Sequence, residues 1–245
     1  MGQVVVITGA GGGLGSVFAV ELAKDGKLIA VLDYDMEAAQ RVAAKIREQG
    51  GTAAAVRCNV VDKNSMEQAR REVREKLGKC NVLINCAGIS NPKLLTEITT
   101  QEWNRMLAVD LTSNYFTCKY AVPVMIKQNF GRIINLASQV GQKGSVEHCH
   151  YAAAKAGVIG FTKSLAREVG KYNITANCIA PGPIETQLMG VVSDEWRKNK
   201  EAELVLPRFG ELEEILPTAV FLAAEPDGNL YTGQTLGPNL GDVMY

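Results

Sequence analysis

The run Val4-Val5-Val6-Ile7-Thr8-Gly9-Ala10-Gly11-Gly12-Gly13-Leu14-Gly15 decides the fold of this chain. Its first five residues are mostly β-branched and apolar, as in a buried strand. A glycine-rich turn follows, and a helical pattern begins directly after it. Glycines let a backbone approach a pyrophosphate, and a helix N-terminus offers unpaired N–H groups. The run therefore predicts a strand, a phosphate-binding turn and a helix.

The same alternation continues to the end of the 245-residue chain. Apolar runs predict strands at 4–8, 28–32, 53–58, 82–85, 132–137, 175–180 and 234–236, and periodic patterns predict helices at 14–25, 36–49, 63–77, 101–128, 150–170 and 213–224. Such alternation indicates an α/β fold, a single-domain doubly wound parallel seven-stranded sheet of the Rossmann-like type, with helices on both faces. The stretch 183–210 is too long for an ordinary connection, and we expect either a substrate lid or a packed insertion there.

The composition favours small-molecule chemistry. Lys plus Arg and Asp plus Glu both number 26, so no charge excess indicates nucleic acid or an anionic membrane as a partner. The six cysteines are scattered without a C-x-x-C pair, which is typical of free thiols in a reducing cytoplasm. His148-Cys149-His150 could suggest a metal, but neighbouring residues rarely converge on one ion, and we expect none.

Asp33 ends the second predicted strand. A carboxylate there can accept hydrogen bonds from the adenosine ribose hydroxyls and repel a 2′-phosphate. The glycine turn carries no Arg or Lys that would offset this charge. The position therefore predicts NAD rather than NADP as the cofactor.

Tyr151 and Lys155 are four residues apart on a predicted helix and so share one face. A positive neighbour favours the phenolate form of a tyrosine, which suits the group to acid–base chemistry. Ser138 lies upstream and could add a hydroxyl donor. A carbonyl that accepts hydride develops negative charge on its oxygen, which needs donors and a proton source close by.

Taken together, these motifs resemble a classical short-chain dehydrogenase/reductase over nearly the whole length. The matching motifs are Thr8-Gly-x-x-x-Gly13-x-Gly15, Asn85-Cys86-Ala87-Gly88, Ser138, Tyr151-x-x-x-Lys155 and Pro181-Gly182-Pro183-Ile184-x-Thr186. The resemblance implies that Tyr151 is the general acid/base, that Ser138 steadies the substrate oxygen, and that Lys155 lowers the tyrosine pKa and holds the nicotinamide ribose. It also implies cofactor contacts from Gly9, Gly11, Gly12, Gly13, Leu14, Asp33, Asn59, Val60, Asn85, Ala87, Gly88, Tyr151, Lys155, Pro181, Ile184 and Thr186.

Two positions depart from the family pattern. Asn59 stands where the family commonly has aspartate, and its carbonyl oxygen can still accept from the adenine amino group. Asp110 stands where the family usually has asparagine as a fourth catalytic member. We expect Asp110 either to preserve that role and hold Lys155 charged, or to be a buried aspartate satisfied by backbone donors. Gln139, His148 and Gln187 are the candidate substrate contacts.

The substrate is less closely defined. The chain looks most like the 3-oxoacyl reductase branch, but Asn129 and Tyr172 occupy positions where that branch commonly presents arginines to an acidic carrier. With the NAD signature, this favours oxidation of a secondary alcohol in a small polar substrate such as a sugar, polyol or hydroxy acid. The alternatives are a 3-oxoacyl-thioester reductase and a non-catalytic NAD(H)-binding sensor. The family resemblance implies a homotetramer, or else a homodimer.

Overall fold

The computed structural model describes residues 2–185 and 194–244. These form a seven-stranded sheet in which all neighbouring strands are parallel, in the order β3-β2-β1-β4-β5-β6-β7. The strands are β1 (Val4–Thr8), β2 (Leu28–Asp33), β3 (Thr52–Arg57), β4 (Cys80–Asn85), β5 (Gly131–Leu136), β6 (Ile174–Ile179) and β7 (Thr235–Leu236). The predicted doubly wound parallel sheet is confirmed.

Helices cover both faces of the sheet. They are α1 (Gly13–Lys24), α2 (Met36–Glu48), α3 (Lys63–Lys76), α4 (Thr100–Leu107), α5 (Ser113–Gln128), α6 (Val140–Lys143), α7 (Cys149–Val169), α8 (Asp194–Glu203) and α9 (Leu212–Ala223). One apolar core joins the sheet to α1, α2 and α9, and a second joins it to α3, α5 and α7. Both faces are buried, which is why the strands are almost uniformly apolar.

Two predicted segments differ from the structure. The single helix expected at 101–128 is interrupted by a π-helical turn, Ala108–Thr112, between α4 and α5. The stretch 183–210, predicted as a lid or insertion, contains α8, while residues 186–193 lie outside the described part. Helix α8 contains no buried residue. Its sequence therefore lacks the apolar face from which a helix is predicted.

The C-terminal segment ties α8 to α6 through one carboxylate. The side chain of Asp242 is 2% exposed, and it pairs with Lys143 at 2.5 Å and with Lys200 at 3.0 Å. These ion pairs link the end of the short helix that follows the fifth strand to the helix inside the 183–210 stretch.

The cysteines are free, and they differ in reactivity. Burial raises the pKa of the Cys58, Cys80 and Cys118 thiols to about 12 and that of Cys178 to about 11. Burial likewise raises the pKa of Cys86. Cys149 is exposed at the start of α7. Within residues 2–185 and 194–244, no helix combines the length and apolar character needed to cross a membrane.

Candidate active site

The site lies at the carboxyl edge of the sheet. Because the strands are parallel, the segments that follow β1, β2, β4, β5 and β6 meet at this edge. Strand β1 is flanked by β2 and β4, so the winding reverses there, and a crevice opens at such a reversal. The glycine turn, Ser138 and the Pro181–Gly182 pair follow strands that end at this edge, and Asp33 is the last residue of β2.

The glycine turn has the form of a phosphate cradle. Gly9 adopts a left-handed φ of 64°, and a Cβ there would lie 2.7 Å from the Ala87 Cα, so only glycine fits. Ideal Cβ atoms on Gly12 and Gly13 would meet nothing within 4 Å, which leaves open space over the turn. Helix α1 begins there without a side-chain cap or an acidic residue in its first turn. Its first N–H groups therefore fit a pyrophosphate.

Asp33 is fixed against this turn. Its Oδ2 accepts from the Gly11 N–H at 2.8 Å, and its Oδ1 accepts from the Asp35 N–H at 2.9 Å. In the neighbouring strand Arg57 is in register with Asp33, and its guanidinium lies 5.7 Å from the Tyr34 ring centroid. The carboxylate is thus held beside the cradle, where a ribose hydroxyl could reach it.

Other predicted cofactor residues use their side chains elsewhere. Asn59 Oδ1 accepts from the Val61 N–H at 3.2 Å, and Val60 packs into the core. Asn85 is buried, and its Nδ2 donates to Asn135 Oδ1 at 2.8 Å between β4 and β5. The Asn85 Oδ1 has no hydrogen-bond partner among the described residues.

Lys155 joins α7 to the end of β5. It is 5% exposed, and its Nζ donates to the Leu136 carbonyl at 2.9 Å, two residues before Ser138. The same ammonium lies 5.5 Å from the Tyr151 ring centroid. The structure therefore places the Lys155 charge between the strand end that carries Ser138 and the half-buried tyrosine.

Asp110 lies in the π-helical turn and is fully buried. Its Oδ1 accepts from the Ile89 N–H at 2.9 Å, and its Oδ2 lies 3.2 Å from Lys155 Nζ. A Cβ on Gly88 would lie 3.0 Å from Asp110 Oδ2, which explains the small residue there. Asp110 thus accepts a backbone donor and also contacts the lysine, and its catalytic role stays a prediction.

Burial and charge act in opposite directions on this pair. Burial raises the pKa of Asp110, and the Lys155 charge and the Ile89 N–H oppose that rise. Burial alone would lower the pKa of Lys155, but the neighbouring Tyr151 and Asp110 outweigh burial and raise it. The lysine is therefore held as the ammonium form beside the Asp110 carboxyl group.

Helix α6 holds Ser138 close to α7. The Val140 N–H donates to Ser138 Oγ at 3.1 Å. A Cβ on Gly141 would lie 2.7 Å from the Lys155 carbonyl carbon, so α6 and α7 pack backbone to backbone. The sequence analysis did not predict α6 or the role of Gly141. A glycine three residues after the serine was the available signal, because glycine allows two backbones to pack closely.

Of the three predicted substrate residues, the structure describes His148 and Gln139. The His148 ring lies 5.9 Å from the Tyr151 ring in an edge arrangement, and its Nδ1 is 2.7 Å from the Val146 carbonyl. Gln139 is buried, and its Oε1 has no protein partner among the described residues. Gln187 and Thr186 lie outside the described residues.

The remaining predicted positions differ in environment. Pro181 is buried and accepts from the Gln139 N–H at 3.2 Å. Ile184 packs in the core and bridges to Gly210, so its side chain contributes to packing. Within the described residues, no group of three or more His, Cys, Asp or Glu side chains could hold a metal ion.

Comparison with known proteins gives a consistent picture. Residues 3–197 match the family model described as short chain dehydrogenase. The 3-oxoacyl-[acyl-carrier-protein] reductase FabG of Staphylococcus aureus is 37% identical, over 100% of this chain and 99% of that protein. FabG of Escherichia coli is 36% identical, over 99% and 98%. A solved 3-oxoacyl-[acyl-carrier protein] reductase from Brucella melitensis aligns with a TM-score of 0.94 and 30% identity, over 99% of this chain and 92% of that one.

These relatives contradict the prediction that the chain oxidises a small polar alcohol such as a sugar, polyol or hydroxy acid. That prediction depended on Asn129 and Tyr172 in place of arginines. Asn129 ends α5 in the left-handed conformation, with φ 51°, which asparagine tolerates well, so its identity has a structural reason. Exposed Lys127 and Lys171 keep positive charge beside both positions. Asp33 is predicted to contact the cofactor, and such a role carries no information about the substrate.

Proposed function

This chain belongs to the short-chain dehydrogenase family and is an oxidoreductase that acts on CH–OH groups, and on that premise we propose that it reduces 3-oxoacyl thioesters to 3-hydroxyacyl thioesters. The observation that carries the proposal is the similarity to named 3-oxoacyl reductases along essentially the full length of both chains. The arrangement of Ser138, Tyr151 and Lys155 supports it, because this reaction needs a donor and a proton at one carbonyl oxygen.

The residues divide the chemistry as follows. The nicotinamide, when bound, supplies the hydride to the ketone carbon. Ser138 holds the carbonyl oxygen with a hydrogen bond, and the Tyr151 hydroxyl donates its proton as that oxygen becomes an alkoxide. Lys155 provides a fixed positive charge beside the tyrosine, anchored by the Leu136 carbonyl and Asp110. The close backbone contact of α6 with α7 at Gly141 holds the segment that carries Ser138 against the helix that carries Tyr151.

The cofactor we propose is NADH. The open glycine turn and the uncapped start of α1 would hold its pyrophosphate, and Asp33 would hold the adenosine ribose. A carboxylate at about 5 Å from a 2′-phosphate costs about 3 kcal/mol per unit charge at an effective dielectric constant of about 20. This corresponds to roughly a 100-fold preference for the cofactor without the phosphate.

Replacement of Asp33 by asparagine tests this assignment. Asp33→Asn removes the charge but keeps an oxygen that can accept from Gly11, so the turn should remain intact. We expect the ratio of kcat/KM for NADPH to that for NADH to rise by roughly 10- to 100-fold. Asp35→Asn, at the exposed N-cap of α2, is the matched control. A ratio that stays constant in Asp33→Asn would remove Asp33 from cofactor discrimination.

The partner we propose is an acidic carrier protein that presents the thioester. Asn173 Nδ2 donates to the Asn129 carbonyl at 3.2 Å, which joins the segments that follow α5 and α7. Lys127 and Lys171 are exposed on these adjoining segments. Positive charge on such a surface increases the rate of encounter with an anionic protein.

Charge reversal at this surface separates carrier recognition from chemistry. The Lys127→Glu/Lys171→Glu variant should raise KM for a carrier-bound 3-oxoacyl thioester by about 10-fold at low salt and leave kcat and the KM for a free N-acetylcysteamine thioester unchanged. Lys45→Glu on α2, on the opposite face of the sheet, is the control. If neither thioester is reduced with either cofactor, the proposed reaction is wrong. If both thioesters are reduced and the KM for the carrier-bound thioester does not change, only the proposed carrier-binding surface is wrong.

We also propose a homotetrameric, cytoplasmic enzyme. Tyr115 on α5 is 44% exposed, and Phe116 and Tyr120 are only partly buried, which leaves apolar surface for a second subunit. Val158 on α7, by contrast, is fully buried inside the chain and contributes to its own core.

A further inference from the structure

A narrow apolar cavity lies between α3, α5 and the sheet. It has a volume of about 90 Å³, and we call it the α3–α5 cavity. Its apolar walls come from both helices and from the strands, and include Leu32, Leu83, Ala69, Val73 and Ala121. Ser138, Tyr151 and Lys155 do not line it. The proposed chemistry therefore leaves this cavity unexplained.

The cavity is elongated because it follows the strands. One end lies at Cys80, the first residue of β4, and the other lies at Thr8, the last residue of β1. Since Cys80 is in register with Val4, the two ends are about 13 Å apart along β1. A cavity of about 150 Å³ takes a benzene ring. This smaller and longer one fits an unbranched aliphatic chain better than a ring.

The hydroxyl groups in its walls already have hydrogen-bond partners. Thr8 Oγ1 accepts from the Ala87 N–H at 3.3 Å, and Thr117 Oγ1 donates to the Ser113 carbonyl at 3.1 Å. A buried water needs about two to four polar partners, and these walls offer few. The interior therefore favours an apolar occupant over water.

The opening of the cavity carries positive charge. Arg70, Arg74 and Lys79 line the cavity and are exposed, whereas none of its described lining residues is Asp or Glu. Arg70 is paired with Glu67 at 2.6 Å. Arg74 and Lys79 have no ion-pair partner in the described part of the chain. Two unpaired cations at the opening of an apolar cavity fit an anionic head group.

We propose that the α3–α5 cavity binds a medium-chain fatty carboxylate, with the chain between the helices and the head group at Arg74 and Lys79. Burial of the chain supplies the affinity, and the two cations select an anion over a cationic head group. This binding is independent of thioester reduction, since Ser138 and Tyr151 lie outside the cavity.

Methyl NMR of protein labelled with ¹³C-methionine locates the ligand. Met66 lines the cavity, whereas Met106 lies on α4 and does not, and Met66→Leu and Met106→Leu assign the two signals. We expect decanoate to shift the Met66 methyl signal in a saturable way and to leave that of Met106 in place. Decyltrimethylammonium has the same chain and the opposite charge, and it should bind at least about 10-fold more weakly.

Two results of this experiment would overturn the proposal. One is a Met66 signal that does not shift, which is also the result expected if a second subunit closes the opening. The other is equal affinity for decanoate and decyltrimethylammonium, because the cations would then select nothing.

Variants test the walls and the opening separately, with binding measured by calorimetry. Ala69→Leu adds three carbon atoms to a wall of the cavity and should abolish decanoate binding. Arg74→Glu/Lys79→Glu changes only exposed side chains, so the fold should remain, and it should raise the Kd for decanoate by about 10-fold at low salt. Arg71→Glu/Lys76→Glu, also exposed but outside the cavity, is the matched control and should bind as wild type does.

Decanoate binding that survives in folded Ala69→Leu would show that the ligand lies elsewhere, and the proposal would be wrong. An equal loss of affinity in the two charge variants would reduce the effect to net charge and would overturn it as well. If Ala69→Leu does not fold, the charge variants and the Met66 signal decide.

Discussion

Tyr151→Phe should lower kcat for 3-oxoacyl thioester reduction by about 10³-fold, because a positioned general acid typically contributes about 10²- to 10⁴-fold. The substitution removes the phenolic oxygen and keeps the ring that packs edge-on against His148 and near Lys155. The fold and the cofactor cradle should remain intact. NADH binding, measured by nucleotide fluorescence, should therefore be unchanged, whereas the single-turnover rate should fall by the same factor as kcat.

Tyr120→Phe on α5 is the matched control, since that ring lies 5.8 Å from the Arg70 guanidinium and outside the site. It should retain the wild-type kcat. Equal turnover of Tyr151→Phe and wild type would show that another group supplies the proton. Binding of NADH by both proteins with turnover by neither, over thioesters, ketones and alcohols, would favour the sensor alternative.

Lys155→Met should destabilise the fold by about 3–5 kcal/mol near neutral pH, because it leaves a buried carboxylate without its partner. Burial already raises the pKa of Asp110, and loss of the ammonium raises it further. A carboxyl with a raised folded pKa contributes stability that is present below its unfolded pKa of about 3.9 and is lost as the pH rises through the folded value. The deficit should therefore be small near pH 4 and grow towards pH 7.

Urea unfolding of wild type and variant across that range measures the deficit. The double variant Lys155→Met/Asp110→Asn is the decisive control, because an amide at 110 can still accept from the Ile89 N–H without carrying charge. It should recover most of the lost stability at neutral pH. A deficit that is independent of pH and remains in the double variant would mean that packing by the lysine stem, and not charge, stabilises this region.

The central strands were predictable because they are buried on both faces and so form short apolar runs, as 4–8 does. The π-helical turn Ala108–Thr112 could not be predicted, because such a turn keeps the helical pattern of apolar residues. Helix α8 escaped prediction because its positions are all at least partly exposed, which removes the apolar periodicity that marks a helix. Sequence patterns record burial, and elements that bury little leave a weak signal.

At the site, local motifs placed the glycine turn, Ser138 and the Tyr151–Lys155 pair on the right elements. Contacts between distant segments could not be found in this way. Asp242 pairs with two lysines from separate helices, and Ile184 packs inward against a core that only tertiary structure reveals. The substrate prediction was wrong because it gave too much weight to two missing arginines, although the adjacent Lys127 and Lys171 keep positive charge at this surface.

The difference among the thiols makes this chain easy to derivatise. Burial raises the thiol pKa of five of its cysteines, whereas Cys149 is exposed two residues before Tyr151. At neutral pH, alkylating reagents attack the thiolate of an accessible cysteine, so this native position is a natural place for a fluorophore or spin label. A probe there would report on the mouth of the site with no engineered cysteine, and reductant should be kept in any preparation used for kinetics.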